Sequence, residues 1–115
     1  MLFRKSLNLK KLKFIIVNQI RILKSLKETE EELKEKFQIL RIGVFGSYSK
    51  GTQTEESDID LIYELEEDAV IGFKEINDLE QYFKDLFKIE KVDLVNSKYV
   101  NPIIEEEIKK SVIYV

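Results

Sequence analysis

The chain has 115 residues, 43% of them hydrophobic, and a formal net charge of −3, which is enough for one compact domain and no more. It contains neither cysteine nor histidine. This composition excludes disulfides, thiolate zinc sites, cysteine nucleophiles and Ser-His-Asp catalysis, so any chemistry must rely on carboxylates, Lys or Arg, hydroxyls and a metal ion.

No apolar run is long enough to cross a bilayer, so we do not expect a membrane partner. The first residues, MLFRKSLNLKKLKFIIVNQ, are basic and then apolar. Their apolar stretch is short and no small-residue cleavage site follows it, so the sequence does not predict a signal peptide. The expected location is the cytoplasm.

Charge is distributed unevenly along the chain. Residues 1–27 contain eight Lys or Arg and no acid, whereas residues 55–80 contain eleven acids and a single basic residue, Lys74. Solvated helix and loop surfaces are the simplest explanation. The alternative is a basic N-terminal surface for an acidic partner, beside an acidic metal site. Nucleic-acid binding is disfavoured, because the basic segment lacks interleaved aromatic residues and a base-reading motif.

The predicted elements begin with two helices and a strand. In residues 9–26 the apolar positions follow helical spacing, at Leu12, Ile16, Ile20 and Leu23. Thr29 is predicted to cap a second helix that runs through Phe37 and carries Glu30–Glu32 in its first turn. Strands are expected over residues 40–45 and 59–65.

The second half of the chain predicts helix, strand, helix and strand. Residues 72–87 form an amphipathic helix, with apolar residues Phe73, Ile76, Leu79, Phe83 and Leu86. Residues 91–95 alternate as a strand does, and Asn101-Pro102 begins a last helix, because proline suits a first turn. Three isoleucines of that helix are expected to pack inward: Ile103, Ile104 and Ile108. Residues 112–115 form a short terminal strand.

The segment between the first two strands carries most of the functional information. It contains Gly46-Ser47, ten further residues and then Asp58-Ile59-Asp60. Glycine permits a tight turn and a close approach of phosphate, to which free backbone N–H groups and the Ser47 hydroxyl can donate. Asp58 and Asp60 are two residues apart at a strand, so both carboxylates point to one face and suit Mg²⁺.

Each half of this pattern is weak when taken alone. A Gly-Ser pair is usually only a turn, and an acidic pair at a strand start is usually solvated surface. The joint pattern is more specific because it lies between two apolar strands. It is neither a Walker A loop nor a Rossmann fingerprint, since the required glycine spacing is missing.

Asp93 is a lone acid in an apolar, β-rich run, where a buried charge is costly unless it is paired or bound to metal. It lies on the opposite face of its strand from Val92 and Leu94. We favour a third carboxylate in the same site; the alternative is an edge strand on which Asp93 faces water.

From about Ile22 to the C-terminus, the chain resembles the minimal nucleotidyltransferases, the small branch of the DNA-polymerase-beta-like nucleotidyltransferase superfamily. The resemblance rests on the strand before Gly46-Ser47, on Gly51, on Ser57-Asp58-Ile59-Asp60-Leu61 and on Val92-Asp93-Leu94-Val95. Residues 1–20 are poorly covered. Many family members have Ala-Arg-Gly where this chain has Ser49-Lys50-Gly51, and Lys50 keeps the charge without a bidentate fork.

The resemblance implies a single α+β domain over residues 1–115, with a small mixed sheet and helices packed mainly on one face. It implies nucleotidyl transfer from ATP with two Mg²⁺ ions, held by Asp58, Asp60 and Asp93. Nucleotide contacts are assigned to Gly46, Ser47, Gly51 and Ser57, with Tyr48 and Lys50 as weaker candidates. Tyr48 is more simply explained by packing, and Lys50 by a solvated loop.

The resemblance also implies a partner. Many family members are antitoxins that transfer AMP to a tyrosine of a helical HEPN ribonuclease toxin. A chain of 115 residues leaves little room for a pocket that encloses a small acceptor, which agrees with an acceptor on another protein. Two other classes stay open: a binding module that neutralises a partner by contact alone, and a nucleic-acid adaptor.

Overall fold

The computed structural model describes residues 9–115. A four-stranded mixed sheet with strand order β3-β2-β1-β4 forms its centre. Strand β1 (Ile39–Phe45) pairs antiparallel with β2 (Ile59–Leu65) and with β4 (Ile113–Tyr114). Strand β3 (Val92–Asn96) pairs parallel with β2 and lies at one edge. The predicted α+β class is confirmed.

Helices cover mainly one face of the sheet. Helix α1 (Leu9–Glu28), α2 (Glu30–Phe37) and α4 (Phe73–Phe87) contribute to the core on that face. The one-turn helix α3 (Ser47–Lys50) follows β1 directly. A 3-10 helix (Ser97–Tyr99) precedes α5 (Pro102–Ser111), whose Ile108 shares a cleft with Ile62. No helix within residues 9–115 combines the length and apolarity needed to cross a membrane.

The core is an apolar cluster between the sheet and these helices. Alternation along β2 directs Ile59, Leu61 and Tyr63 into it, while Phe83 and Phe87 of α4 stack in its centre with ring centroids 5.8 Å apart. This packing fixes β2 and β3 against α4. The residues at the starts of β2 and β3 are therefore held by a rigid layer.

Element positions were predicted well, but two helix faces were not. Helix α1 buries Ile15, Ile22 and Leu26, whereas most of the predicted stripe stays outside, with Ile20 56% exposed. The prediction that Ile103 and Ile104 pack inward is wrong, since they are 80% and 44% exposed. Periodicity identifies a helix but cannot choose between two apolar faces.

Two smaller predictions also need correction. Thr29 does precede α2, but its hydroxyl donates to the carbonyl oxygens of Ser25 and Leu26 at 3.0 and 3.1 Å and makes no cap bond to α2. The hydroxyl thus closes the preceding helix, a local bond for which Thr is well suited. Phe73, assigned to the apolar face of α4, is 89% exposed because it stands at the first position of the helix.

Candidate active site

The turn after β1 is built around Gly46. Its backbone lies at φ 73°, ψ −149°, a conformation that favours glycine, and α3 starts at the next residue. The carbonyl oxygen of Gly46 accepts from the Lys50 amide at 3.1 Å and from the Ser49 hydroxyl at 2.9 Å. The first amides of a helix have no partner inside it, so those of Ser47 and Tyr48 are available to an anion.

Gly46 is also the contact point for Asp60. A Cβ atom built on Gly46 would lie 2.2 Å from Oδ2 of Asp60, so the carboxylate rests directly against the glycine backbone. The antiparallel register explains this approach, because Asp60 pairs with Phe45 at the end of β1. Glycine is therefore required here by its backbone angle and by the carboxylate beside it.

Asp93 lies next to Asp60 on the neighbouring strand. The two residues are partners in the parallel register of β2 and β3, so their carboxyl groups lie side by side. Burial raises the pKa of Asp60 to about 6, and the neighbouring Asp93 carboxyl group adds to the effect through hydrogen bonding and charge. The side chain of Asp93 is exposed on an edge strand, as one alternative predicted. It also stands beside Asp60, as a shared site would require.

Asp58 stands just before β2 and contacts a basic residue that the sequence interpretation missed. Nζ of Lys91 lies 3.4 Å from Oδ2 of Asp58. Asp58 contributes to the raised pKa of Asp60, whereas Lys91 lowers that pKa. Lys91 directly precedes Val92, which pairs with Ile59 in the parallel register. Since Asp58 directly precedes Ile59, this position is the signal that could have identified Lys91.

The three carboxylates can be tested for fit to a metal ion. Within residues 9–115 no three acidic side chains are arranged as a ready metal cluster, since Asp58 is turned to Lys91. The donor set still suits Mg²⁺, because it consists of oxygens alone. Burial, followed by the charges of Asp93 and Asp58, raises the pKa of Asp60, and a bound cation would stabilise its charged form.

The remaining predicted residues shape the loop between α3 and β2. The Ser57 hydroxyl accepts from the Thr54 amide at 2.8 Å, and Gly51 ends α3 at φ 74° with its amide donating to the Ser47 carbonyl. Tyr48 is only 6% exposed, which confirms packing as the role of its ring. Lys50 is exposed at the end of α3.

Two glutamines tie α1 to this loop, and sequence reasoning missed both. Nε2 of Gln19 donates to the carbonyl oxygens of Tyr48 and Ser49 at 3.0 and 3.1 Å. Nε2 of Gln53, which is 2% exposed, donates to the Ile15 carbonyl at 2.7 Å. The Gly46 turn and the loop after it are thus held by Ile15 and Gln19 of α1, which lie before the region that carries the resemblance.

The chain matches known proteins in sequence. A proposed protein adenylyltransferase of Methanocaldococcus jannaschii is 38% identical over 91 residues, which cover 78% of this chain and 90% of that protein. The protein adenylyltransferase MntA of Thermococcus cleftensis is 35% identical over 86 residues, 75% of this chain and 84% of that protein.

Solved structures share the fold. A chain of a toxin–antitoxin structure with AMP-PNP matches with a TM-score of 0.62 and 23% identity, over 84% of this chain and 71% of that one. A chain of the complex between an MNT antitoxin and the tri-AMPylated HEPN toxin of Shewanella oneidensis has a TM-score of 0.55 and 19% identity, over 87% of this chain and 70% of that one.

The sequence model of the nucleotidyltransferase domain family covers residues 26–115. That range contains the Gly46 turn, the Asp60–Asp93 pair and the whole sheet. The match in sequence and the match in fold agree with the resemblance carried by the Gly-Ser and Asp-x-Asp spacing. The chain belongs to the nucleotidyltransferase domain family.

Proposed function

We propose that this nucleotidyltransferase transfers AMP from ATP, with the aid of Mg²⁺, to a tyrosine hydroxyl of a HEPN-type ribonuclease toxin and so acts as its antitoxin in the cytoplasm. One observation carries the proposal. Asp60 rests against the Gly46 turn and is paired with Asp93 on the next strand. The Gly46 turn and two carboxylates are thereby brought together, which supports phosphate binding beside a metal ion.

The turn would bind the triphosphate. The amides that follow Gly46 and the Ser47 hydroxyl donate to oxygens of the β- and γ-phosphates. Gly51 and Ser57 hold the loop that closes over this end of the nucleotide, and Lys50 adds a positive charge at its exposed edge. The carboxylate of Asp60 then lies beside the bound phosphates.

The metal ligands would be Asp58, Asp60 and Asp93, with Asp58 giving up its contact with Lys91. Two bound Mg²⁺ ions would neutralise phosphate charge and lower the pKa of the acceptor hydroxyl. An exposed ion pair contributes little net free energy. The side chains of Lys91 and Asp58 are 69% and 35% exposed, so Asp58 can exchange this contact for a metal ion at little cost.

The carboxylates would also handle the proton. Asp93 is exposed and stands beside Asp60, so it can accept the proton of an incoming hydroxyl. The acceptor oxygen forms a bond to the α-phosphorus while the bond from that phosphorus to the bridging oxygen breaks. Pyrophosphate leaves, and AMP stays on the acceptor.

A protein acceptor is supported by two findings. Relatives of this chain are named protein adenylyltransferases, and a chain of similar fold comes from a complex of an MNT antitoxin with an AMPylated HEPN toxin. Asp93 is exposed, so a side chain of another protein can approach this edge of the site.

The proposal is tested with ATP labelled at the α- or the γ-phosphate and a purified HEPN-type protein as acceptor. We expect the α-label alone to appear on the acceptor, at a tyrosine located by mass spectrometry. Asp58→Ala and Asp60→Ala should each reduce labelling by roughly a thousandfold, because a metal contact to the transition state is lost. Transfer of the γ-label, or full labelling by both variants, would refute adenylyl transfer at this site.

A further inference from the structure

Exposed large apolar side chains within residues 9–115 fall mainly into two groups. Six lie on α1 between Leu9 and Ile20, and five lie between Val70 and Ile104. Exposed apolar side chains that lie together mark surfaces that contact other proteins, and Val70 and Tyr99 of the second group share one cleft. The residues next to the first group are mainly basic, and those next to the second group are mainly acidic.

The group on α1 forms an outer stripe, defined as Leu9, Leu12, Ile16 and Ile20. Their spacing places them on one side of the helix, and Leu9 and Ile20 are 84% and 56% exposed. The fold makes little use of this stripe, because α1 packs on the core through Ile15, Ile22 and Leu26. Lys13 and Lys24 flank the stripe and pair with no acidic side chain in the described part of the chain.

The second group contributes to an acidic cleft between the loop after β2 and the 3-10 helix. The cleft has a volume of about 430 Å³, and Val70 and Tyr99, which are 91% and 76% exposed, stand on its walls. Its lining carries four carboxylates, from Glu64, Glu66, Glu67 and Asp68, against the single lysine Lys98. Among residues 9–115, Glu66, Glu67 and Asp68 contact no basic side chain at ion-pair distance, so their charges are free to meet an outside partner.

We propose that the outer stripe of one copy of the chain docks into the acidic cleft of a second copy. The contact joins apolar surface to apolar surface and sets the unpaired lysines beside unpaired carboxylates. A symmetric contact between two α1 helices would bring two basic segments together and is opposed by their charge. The docking is head to tail, so each copy keeps one free stripe and one free cleft.

The test uses the intact chain and three exposed-site variants in analytical ultracentrifugation. The stripe variant is Ile16→Asp/Ile20→Asp, the cleft variant is Val70→Asp/Tyr99→Asp, and Leu40→Asp, at a 57% exposed residue outside both surfaces, is the control. We expect the wild type and the control to gain mass with concentration up to about 0.5 mM, as small transient interfaces do. Each variant alone should stay monomeric.

An equimolar mixture of the two variants gives the decisive signature. One intact stripe then meets one intact cleft, so the mixture should form a 1:1 dimer and nothing larger. High salt should weaken both this dimer and the wild-type assembly. Circular dichroism confirms that each variant is folded.

Three results would overturn the proposal. The first is a wild type that stays monomeric over the whole concentration range. The second is a stripe variant that stays monomeric while the cleft variant still assembles, which would indicate a symmetric α1 contact. The third is a mixture that fails to recover the dimer although both variants are folded.

Discussion

Gly46 and Asp60 are packed directly against each other in the proposed site. The glycine is needed both for a positive φ and for room, since Asp60 Oδ2 lies where a Cβ atom would be. The sequence pattern pointed to phosphate as the reason for this glycine. The structure adds a second reason, which is that the aspartate can approach the turn only if no side chain stands there.

Replacing Gly46 and Gly51 by alanine separates these two effects. Both glycines have φ near 74°, but the nearest side-chain atom to a Cβ on Gly51 is Ile15 Cγ2 at an ordinary 3.7 Å. Gly51→Ala should cost about 1–2 kcal/mol of unfolding free energy for its left-handed backbone, with ATP binding kept. Gly46→Ala should cost about as much or more and also displace Asp60, which abolishes Mg²⁺-dependent ATP binding. Equal ATP affinity of the two variants, with urea melts as the stability control, would contradict the Asp60 contact.

The pKa of Asp60 makes a prediction for the metal-free protein. Because that pKa is raised from 3.8 to about 6 in the folded state, the unfolded chain loses this proton first as the pH rises. Asp60 therefore lowers the free energy of unfolding progressively between pH 4 and 6, and the full penalty remains above pH 6. In EDTA, Asp60→Asn should melt close to wild type near pH 4 and at a higher temperature at pH 7.

Addition of Mg²⁺ at pH 7 provides the control for this melting experiment. A bound cation offsets the repulsion, so it should raise the melting temperature of the wild type more than that of Asp60→Asn. The assignment fails if the difference between the two proteins in EDTA is the same at pH 4 and pH 7.

Among single residues, the sequence identified those that local spacing brings close together. Asp58 and Asp60 lie at a strand start two residues apart, which suffices to place both near one edge of the sheet. Lys91 and the two glutamines could not be predicted in this way. Gln19 contacts the turn across 29 and 30 positions in the sequence, and no periodicity reports such a contact.

Helix α1 has two apolar stripes, and packing decides which one becomes core. Ile22 is 1% exposed, whereas Ile20, two residues earlier, is 56% exposed. Ile22→Ala should cost about 2–4 kcal/mol of unfolding free energy, because it removes buried methyl groups and leaves a cavity. Ile20→Ala should stay within about 0.5 kcal/mol. Chemical denaturation of both variants checks the orientation of the helix, and a reversed order would show that the other stripe is buried.

The parallel pairing of β2 and β3 makes a prediction for Asp93. Its carboxylate is set beside Asp60 by the strand register and raises the pKa of that residue. Asp93→Asn should therefore raise the melting temperature of the protein in EDTA at pH 7 while it reduces AMP transfer. Asp85→Asn, at an exposed position of α4, is the matched control and should change neither quantity. No effect of Asp93→Asn on melting and transfer would remove Asp93 from the site.

Strand order was not readable from the sequence. The predicted strands agree with β1 to β4 within one or two residues, but their pairing depends on contacts between distant segments. The basic N-terminal segment and the acidic segment were visible as charge runs. The exposed apolar stripe and the cleft that accompany them required the folded chain.

The molecule as a whole joins a nucleotidyltransferase sheet to a helix that anchors its Gly46 turn. Family membership rests on residues 26–115, while Ile15 and Gln19 of α1 contact the loop and the turn from outside that range. We propose that the activity nevertheless depends on Asp58 and Asp60, at the start of β2, together with the Gly46 turn. Their joint action is the central claim.

Calorimetric titration of ATP, with and without Mg²⁺, tests that claim most directly because it needs no partner protein. The wild type should bind ATP strongly only when Mg²⁺ is present. Asp58→Asn/Asp60→Asn should lose the Mg²⁺-dependent part, since its amides carry no charge for the metal. ATP binding that is independent of Mg²⁺ and unchanged in this double variant would contradict a metal-dependent nucleotide site at these aspartates.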